Sequence, residues 1–166
     1  MKLVEPAIRL MPKHHETKRL PYSAQQMYDL VADVGSYPQF LPWNSAARIR
    51  SLTAIEGGPD GIGEVMEADL VISFKVFRER FGSRVTLWPE PKRIDTEYVE
   101  GPFRHMLSTW NFRDIEGGCE VIFFVDFEFR NAILQSIIGL VFNDAMQRVV
   151  RAFERRAAAL YGPAPI

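Results

Sequence analysis

"CEVIFFVDFEFR", residues 119–130, sets Val121, Phe123, Val125, Phe127 and Phe129 on one side of the chain. Glu120, Asp126, Glu128 and Arg130 fall on the other side. A period of two over this length is a half-buried strand. The pattern then changes without a gap. Asn131 suits a helix N-cap, and after it Leu134, Ile138, Val141, Phe142, Ala145, Met146, Val149, Phe153, Ala157 and Leu160 recur at helical spacing to about Tyr161. Asn143, Gln147, Arg151 and Glu154 lie opposite, and Gly162-Pro163 stops the helix. About 30 helical residues span roughly 45 Å. A strand handing over to one long helix decides the fold class.

Working back toward the N-terminus, residues 44–130 keep mostly period two. "EVMEADLVISFKV" (64–76) places Met66, Ala68, Leu70, Ile72, Phe74 and Val76 on one face, with Glu67, Asp69, Ser73 and Lys75 on the other. "FGSRVTLW" (81–88) continues after a reversal that the pattern does not locate. Residues 93–100 form a strand with Ile94, Thr96 and Tyr98 on one side, and residues 103–114 form another. An odd-length turn or bulge at Gly101-Pro102 sets Tyr98 against Met106 and Ile94 against Trp110. A two-residue turn at Gly117-Gly118 pairs Glu116 with Cys119, Phe112 with Phe123, Trp110 with Val125, Met106 with Phe129 and His105 with Arg130.

Before the strands, residues 14–20 alternate weakly as a first strand. "PYSAQQMYDLVADVGSY" (21–37) then starts a helix. Ser23 is the N-cap, Gln26 completes a capping box, and Tyr22 and Met27 sit at staple positions. Gly35 ends it. In "SYPQFLPW" (36–43), Ser36 caps a second, one-turn helix that tolerates Pro38 in its first turn, and Pro42 stops it. One turn is not stable alone in water, so its aromatics need an apolar support. Short-loop strands in sequence make an antiparallel sheet, hence an α+β fold with the long helix across the inner face of a curved sheet. Such a sheet leaves room for a gap beneath the helix.

The 166 residues suit one domain. Residues 1–10 read as a loose leader, 11–162 as the domain and 163–166 as a tail. A net charge of -1 gives no general attraction for DNA or RNA, so any basic surface is local. One cysteine, Cys119, fits a reducing compartment. Glu5, Pro6 and Arg9 break any secretory signal. The longest apolar stretch, "AILQSIIGLVF", has 11 residues and contains Gln135 and Ser136, short of the ~20 a spanning helix needs. The expectation is a cytoplasmic protein, soluble or peripheral at the inner membrane.

No catalytic, metal or cofactor set emerges. His14 and His15 are adjacent and point to opposite faces of a strand, and His105 is alone, so zinc spacing is absent. Cys119 and His105 fall at opposite ends of the hairpin ladder. No phosphate loop or dinucleotide fingerprint is present, and no inward acid–base pair is placed in a pocket. What stands out is the inner face, where Phe74, Tyr98, Met106, Trp110, Phe123, Phe127, Phe129, Phe142 and Met146 converge with Thr96 and Ser108. This is either a packed aromatic core or an apolar pocket with a few polar groups to orient a ligand. The first third of the long helix is apolar almost all round. Its surplus at Ile137, Ile138 and Val141 meets core, another subunit or a membrane. Arg148, Arg151 and Arg155 then form a basic stripe, with Asp144 placed to pair with Arg148. That stripe is a solvated face or a contact for anionic headgroups.

"PYSAQQMYDLVADVGSYPQFLPW", "GPFRHMLSTWNF" and "VDFEFRNAILQSIIGLVFNDAMQRVVRAFERRA" together resemble the coenzyme Q-binding family of START-like, polyketide cyclase-like proteins, over about residues 11–161. The resemblance implies the helix-grip fold. It also implies non-enzymatic binding of ubiquinone or a similar prenyl lipid in support of respiratory electron transfer. The bacterial relatives include ribosome-association toxins, which makes a ribosome-bound inhibitor of subunit joining the alternative. A START-like aromatase/cyclase is a further one, disfavoured by the missing acid–base pair. Trp43 stands where the quinone branch has tryptophan and the toxin branch glycine. Asn44 stands where a cysteine is expected, and Met11-Pro12 resembles the family's start. The implied ligand-binding set is Phe40, Trp43, Phe74, Tyr98, Met106, Trp110, Phe123, Phe127, Phe142 and Met146. "SYPQFLPW" would then be a lid over the apolar tail, or a plug that completes the core.

Overall fold

Capping chemistry and alternation build the observed elements directly. The computed structural model describes residues 13–58, 61–74 and 77–162. The leader 1–10, Met11, Pro12, Lys75, Val76 and the tail 163–166 lie outside them. Strand β1 (Lys13–Leu20) leads to helix α1 (Ala24–Ala32) and a 3₁₀ helix (Val34–Gln39). Six strands follow: β2 (Asn44–Gly58), β3 (Gly61–Phe74), β4 (Phe77–Trp88), β5 (Arg93–Glu100), β6 (Phe103–Ile115) and β7 (Gly118–Phe129). Helix α2 (Ala132–Tyr161) closes the chain. The sheet runs β1-β7-β6-β5-β4-β3-β2 with every neighbour antiparallel. It curls around α2 in the expected helix-grip arrangement.

Ser23 accepts from the Gln26 backbone at 3.0 Å while the Gln26 side chain accepts from the Ser23 backbone at 2.9 Å, the reciprocal capping box. Asn131 Oδ1 accepts from Ile133 and Leu134 at 2.9 and 3.0 Å and starts α2 at the expected residue. Helix α1 ends earlier than expected, at Ala32 with Asp33 as its C-cap, and Gly35 lies inside the 3₁₀ helix. Ser36 does not cap that helix. It sits within it and donates to Asp33 Oδ2 at 2.6 Å. Pro38 is also inside, where the tighter 3₁₀ bonding tolerates a missing N–H over so short a run.

The β6–β7 hairpin corrects one expectation. Ile115 pairs with Gly118, so the turn is Glu116-Gly117, and Gly117 carries the positive φ of 84°. Phe112 therefore faces Val121, Trp110 faces Phe123, Met106 faces Phe127 and His105 faces Glu128. The slip is two residues, so every side chain keeps its face. Gly118 is needed for another reason: a Cβ there would lie 1.9 Å from the Leu20 carbonyl oxygen where β1 closes on the hairpin. On β5, Ile94 faces Trp110 as expected, but the ladder with β6 ends at Glu97↔Leu107, before Tyr98 reaches Met106. The β3–β4 reversal, unplaced by pattern, follows the Phe74↔Phe77 pair.

Two apolar clusters fill the interior. One joins α1, with Met27, Leu30 and Val31, to Val85, Ile94, Phe112, Val121 and Phe153. The other gathers Phe81, Phe103, Val125, Phe127, Phe129, Leu134 and Phe142. Val141 and Leu160, expected on the inner face of α2, are 37% and 50% exposed. Both sit at the margins of a stripe whose centre is Phe142, Ala145 and Phe153.

Candidate functional site

The curled sheet and the first half of α2 leave a cleft at one end of the grip. Trp43, Ile72, Phe74, Phe77, Pro102, Phe129, Leu134, Ile138 and Ala145 line it, with Glu79 at its edge. The residues come from five places: the loop before β2, the β3–β4 hairpin, the β5–β6 turn, the end of β7 and α2. The cleft holds a free volume of about 60 Å³. An apolar cavity of ~150 Å³ is known to take a benzene ring, so no quinone ring fits until the walls part. A second cavity of about 30 Å³ lies on the other flank of α2, against Leu20, Met27, Trp110, Val121, Phe123 and Phe153.

Trp43 holds its place by backbone. Its carbonyl accepts from Ser73 N at 2.8 Å, and its ring meets Phe74 edge-on at 5.8 Å between centroids. Its φ is 63°, a left-handed conformation that costs a bulky residue about 1–2 kcal/mol. The fold sustains that cost where the chain turns from the 3₁₀ helix into β2. Next to it, Asn44 pairs with Ile72 across the ladder and so shares the inward face of a cleft residue. Asn44 Oδ1 is buried with no hydrogen-bond partner among the described residues. An unpaired buried amide costs about 1–3 kcal/mol, which a ligand donor could recover.

The expected site residues divide among three locations. Trp43 and Phe74 line the cleft, and Trp110 and Phe123 line the smaller cavity. Tyr98, Met106, Phe127, Phe142 and Met146 pack in the second apolar cluster, where Phe103 stacks on Phe129 at 4.7 Å and meets Phe127 at 5.9 Å. Phe40 is on a different side of the molecule, edge-on to Phe153 at 5.3 Å and under Arg156 at 5.2 Å. The segment "SYPQFLPW" therefore splits. Tyr37 donates to the Val31 carbonyl and packs on Phe153, so Tyr37 and Phe40 complete the core. Trp43, at the other end, walls the cleft.

Several cleft residues were not singled out from sequence. Ile72 and Leu134 belong to apolar faces but carry no further signal, and Phe77 was hidden by the unplaced reversal. Another omission corrects an expectation. An acid–base pair does face inward: His14 Nε2 lies 2.8 Å from Glu16 Oε1, and their side chains are only 13% and 17% exposed. Gln147 Nε2 donates to the same Glu16 oxygen at 3.3 Å, and the His14 ring sits 6.2 Å from those of Phe123 and Phe142. Residues i and i+2 of a strand share a face, so the spacing was readable, but charged residues on an edge strand read as solvent-facing. Burial pushes the Cys119 thiol up to about 11, with Asp114 nearby adding to the effect, which leaves an inert, fully enclosed thiol.

On the far side of the 3₁₀ helix lies an open groove of about 510 Å³, walled by Pro38, Phe40, Leu41 and Pro42 against Arg148, Arg151 and Arg155. Asp144 lies in it too and accepts from Arg148 Nε at 3.1 Å, as the i,i+4 spacing predicts. Among the described residues no helix is long and apolar enough to cross a membrane.

The comparisons with known proteins support the fold and give the family. The family described as polyketide cyclase / dehydrase and lipid transport matches residues 20–154. A Rickettsia prowazekii protein named ribosome association toxin RatA is 40% identical over 150 residues, 89% of this chain and 97% of that protein. A Xenopus laevis protein named coenzyme Q-binding protein COQ10 homolog B, mitochondrial, is 30% identical over 155 residues, 90% of this chain and 59% of that longer protein. Among solved structures, a START superfamily protein from Mycobacterium smegmatis overlays with a TM-score of 0.70 at 16% identity, covering 89% of this chain and 98% of that one.

Proposed function

The chain belongs to the polyketide cyclase, dehydrase and lipid transport family, and from that premise we infer that it binds and carries ubiquinone or a similar prenyl lipid without catalysing a reaction, the inward His14–Glu16 pair standing at the smaller cavity rather than in the cleft. The observation that carries this reading is the cleft itself: apart from Glu79 its lining is apolar, Trp43 forms one wall, and the next residue, Asn44, holds a buried amide oxygen with no hydrogen-bond partner among the described residues. An apolar wall with few polar groups beside it is the chemistry a long lipid with a small polar head requires. The coenzyme Q-binding name of one relative supports the quinone in particular. In this reading the protein works at the cytoplasmic surface of the inner membrane and delivers quinone to respiratory electron transfer. Trp43, Phe74 and Asn44 meet the head, and the tail runs between α2 and the sheet toward Tyr98, Met106, Phe127, Phe142 and Met146. Trp110 and Phe123 form its far wall. Phe40 braces the structure behind the site.

The test is organic extraction of the purified native protein with mass spectrometry for prenyl quinones. Titration with a one-isoprene ubiquinone, followed by tryptophan fluorescence, accompanies it. Bound quinone, or saturable quenching, is the expected result. No extracted lipid together with no quenching overturns the reading.

A second reading, association with the ribosome, is favoured by the 40% identity to a protein named a ribosome association toxin. It predicts co-sedimentation with ribosomal subunits that weakens steeply with salt.

A further inference from the structure

Helix α2 carries one solvent-facing stripe that changes chemistry halfway along. At 100° per residue, Ile133, Leu140, Val141, Asp144, Arg148, Arg151 and Arg155 all fall within one third of its circumference. The side opposite them holds Phe142 and Phe153, both buried. Ile133 is 68% exposed and Leu140 88% exposed. Nothing among the described residues covers them. Beyond Asp144 the stripe turns basic. Arg148 is paired with Asp144, whereas Arg151 and Arg155 have no carboxylate partner among the described residues. Both line the groove whose other wall is Phe40, Leu41 and Pro42.

The geometry points to an anionic lipid bilayer as the surface this stripe docks on. Charge complementarity selects it. The chain as a whole carries -1, so the arginines are a local concentration of positive charge rather than part of a general excess. They continue the same stripe as the exposed aliphatic residues. A protein partner would not require that order, but a membrane does: the aliphatic half enters the acyl boundary while the arginines lie on headgroup phosphates in the groove. The apolar half of the stripe is also the half whose inner side, Leu134 and Ile138, walls the cleft. Docking therefore brings the cleft wall to the bilayer surface, where an apolar ligand can exchange without crossing water. This deepens the carrier reading and rests on it for that last step only; the docking itself does not.

The experiment is co-sedimentation of the full chain with two kinds of vesicle, phosphatidylcholine alone and phosphatidylcholine with 30% phosphatidylglycerol. Binding is expected to the anionic vesicles and to weaken with salt. Arg151→Glu combined with Arg155→Glu is expected to reduce it on the order of twenty-five-fold or more, from about fivefold for each lost basic side chain near an anionic surface. Leu140→Asp is expected to reduce it by on the order of tenfold while leaving the melting temperature unchanged, because Leu140 is almost fully exposed. Equal binding of the wild type and both variants overturns the proposal. So does binding to ribosomal RNA with none to vesicles, or a wild-type dimer that Leu140→Asp dissociates. Quenching by one-isoprene ubiquinone is measured on the same proteins. If quenching persists without vesicle binding, docking fails alone. If vesicles bind without quenching, the carrier reading fails alone.

Discussion

The two halves of α2 share one hydrogen-bonded backbone yet are held in different ways. The C-terminal half is clamped. Phe153 is buried among Trp110, Tyr37 and Phe40 at centroid distances of 5.2, 5.7 and 5.3 Å. Tyr161 donates to the Gln26 carbonyl at 2.9 Å, Tyr22 to the Gly162 carbonyl at 2.9 Å, and Arg156 to Gln39 at 3.1 Å. The N-terminal half has Asn131 as its cap and Gln135 reaching back to Phe129 N at 2.8 Å. Its inner side borders a cleft and its outer side carries exposed aliphatics. Leu134, Phe142 and Ala145 are buried there too, but fewer hydrogen bonds tie that half to other elements, which lowers the free energy of opening it locally. The difference teaches where a ligand can enter: the 60 Å³ cleft enlarges if the N-terminal half of α2 or the β3–β4 hairpin moves, and the C-terminal half supplies the fixed end of that hinge.

The largest expected effect breaks the clamp. Phe153→Ala removes the ring on which two aromatics of the 3₁₀ segment rest, and it should cost about 3–5 kcal/mol of stability. Leu140→Ala, on the other half, should stay within about 0.5 kcal/mol. Denaturant titration of both measures the contrast. Similar losses at the two positions would mean that the halves are not held differently.

Much of the fold was legible in the sequence. The α+β class, the capped starts of both helices and the inner faces of β3, β5 and β7 follow from alternation and capping residues, because each is decided by neighbours along the chain. The turn at Glu116-Gly117 was misplaced because period two cannot distinguish a register from the same register moved by two. Gly118 mimicked a turn residue although its constraint is the approach of Leu20, 98 positions away. The site was less readable. An all-apolar face does not say which aromatic touches a ligand and which touches another aromatic. The chain places Tyr98 and Phe127 in a packed cluster and Trp43 at a cleft. Ile138 lines the cleft, and Leu140 takes the outward position. Periodicity gives angles around a helix but not where the sheet edge falls. His14 and Glu16 became an inward pair only because β1 adds to β7 beside α2.

A smaller effect sharpens the comparison at the cleft mouth. Trp43→Ala removes a wall of the proposed site without touching the clamped half. Quinone affinity should fall by about 2 kcal/mol, roughly thirtyfold. Stability should fall by less than the ~3–5 kcal/mol of a core aromatic, since Trp43 is only half-buried. Melting temperature and fluorescence-free binding, such as calorimetry with one-isoprene ubiquinone, check both on one preparation. A large stability loss with unchanged affinity would make Trp43 a plug like Phe40.

The smallest effect isolates the loose half itself. Asn131 is the N-cap of α2, and its Oδ1 satisfies two of the four N–H groups that a helix start leaves unpaired. Asn131→Ala should cost about 1 kcal/mol. The size matters less than where it appears. If the N-terminal half opens independently, lost capping raises amide exchange over the first turns of α2, residues 132–142, and leaves residues 150–161 at their wild-type rates, because those open only with the clamp. Easier opening also makes the cleft more accessible, so the quinone on-rate should rise while the affinity of the open form is unchanged. Hydrogen exchange resolved by peptide, with and without one-isoprene ubiquinone, reads both. A uniform rise along the whole helix would show that α2 opens as one body, and the hinge between its halves would have to be abandoned.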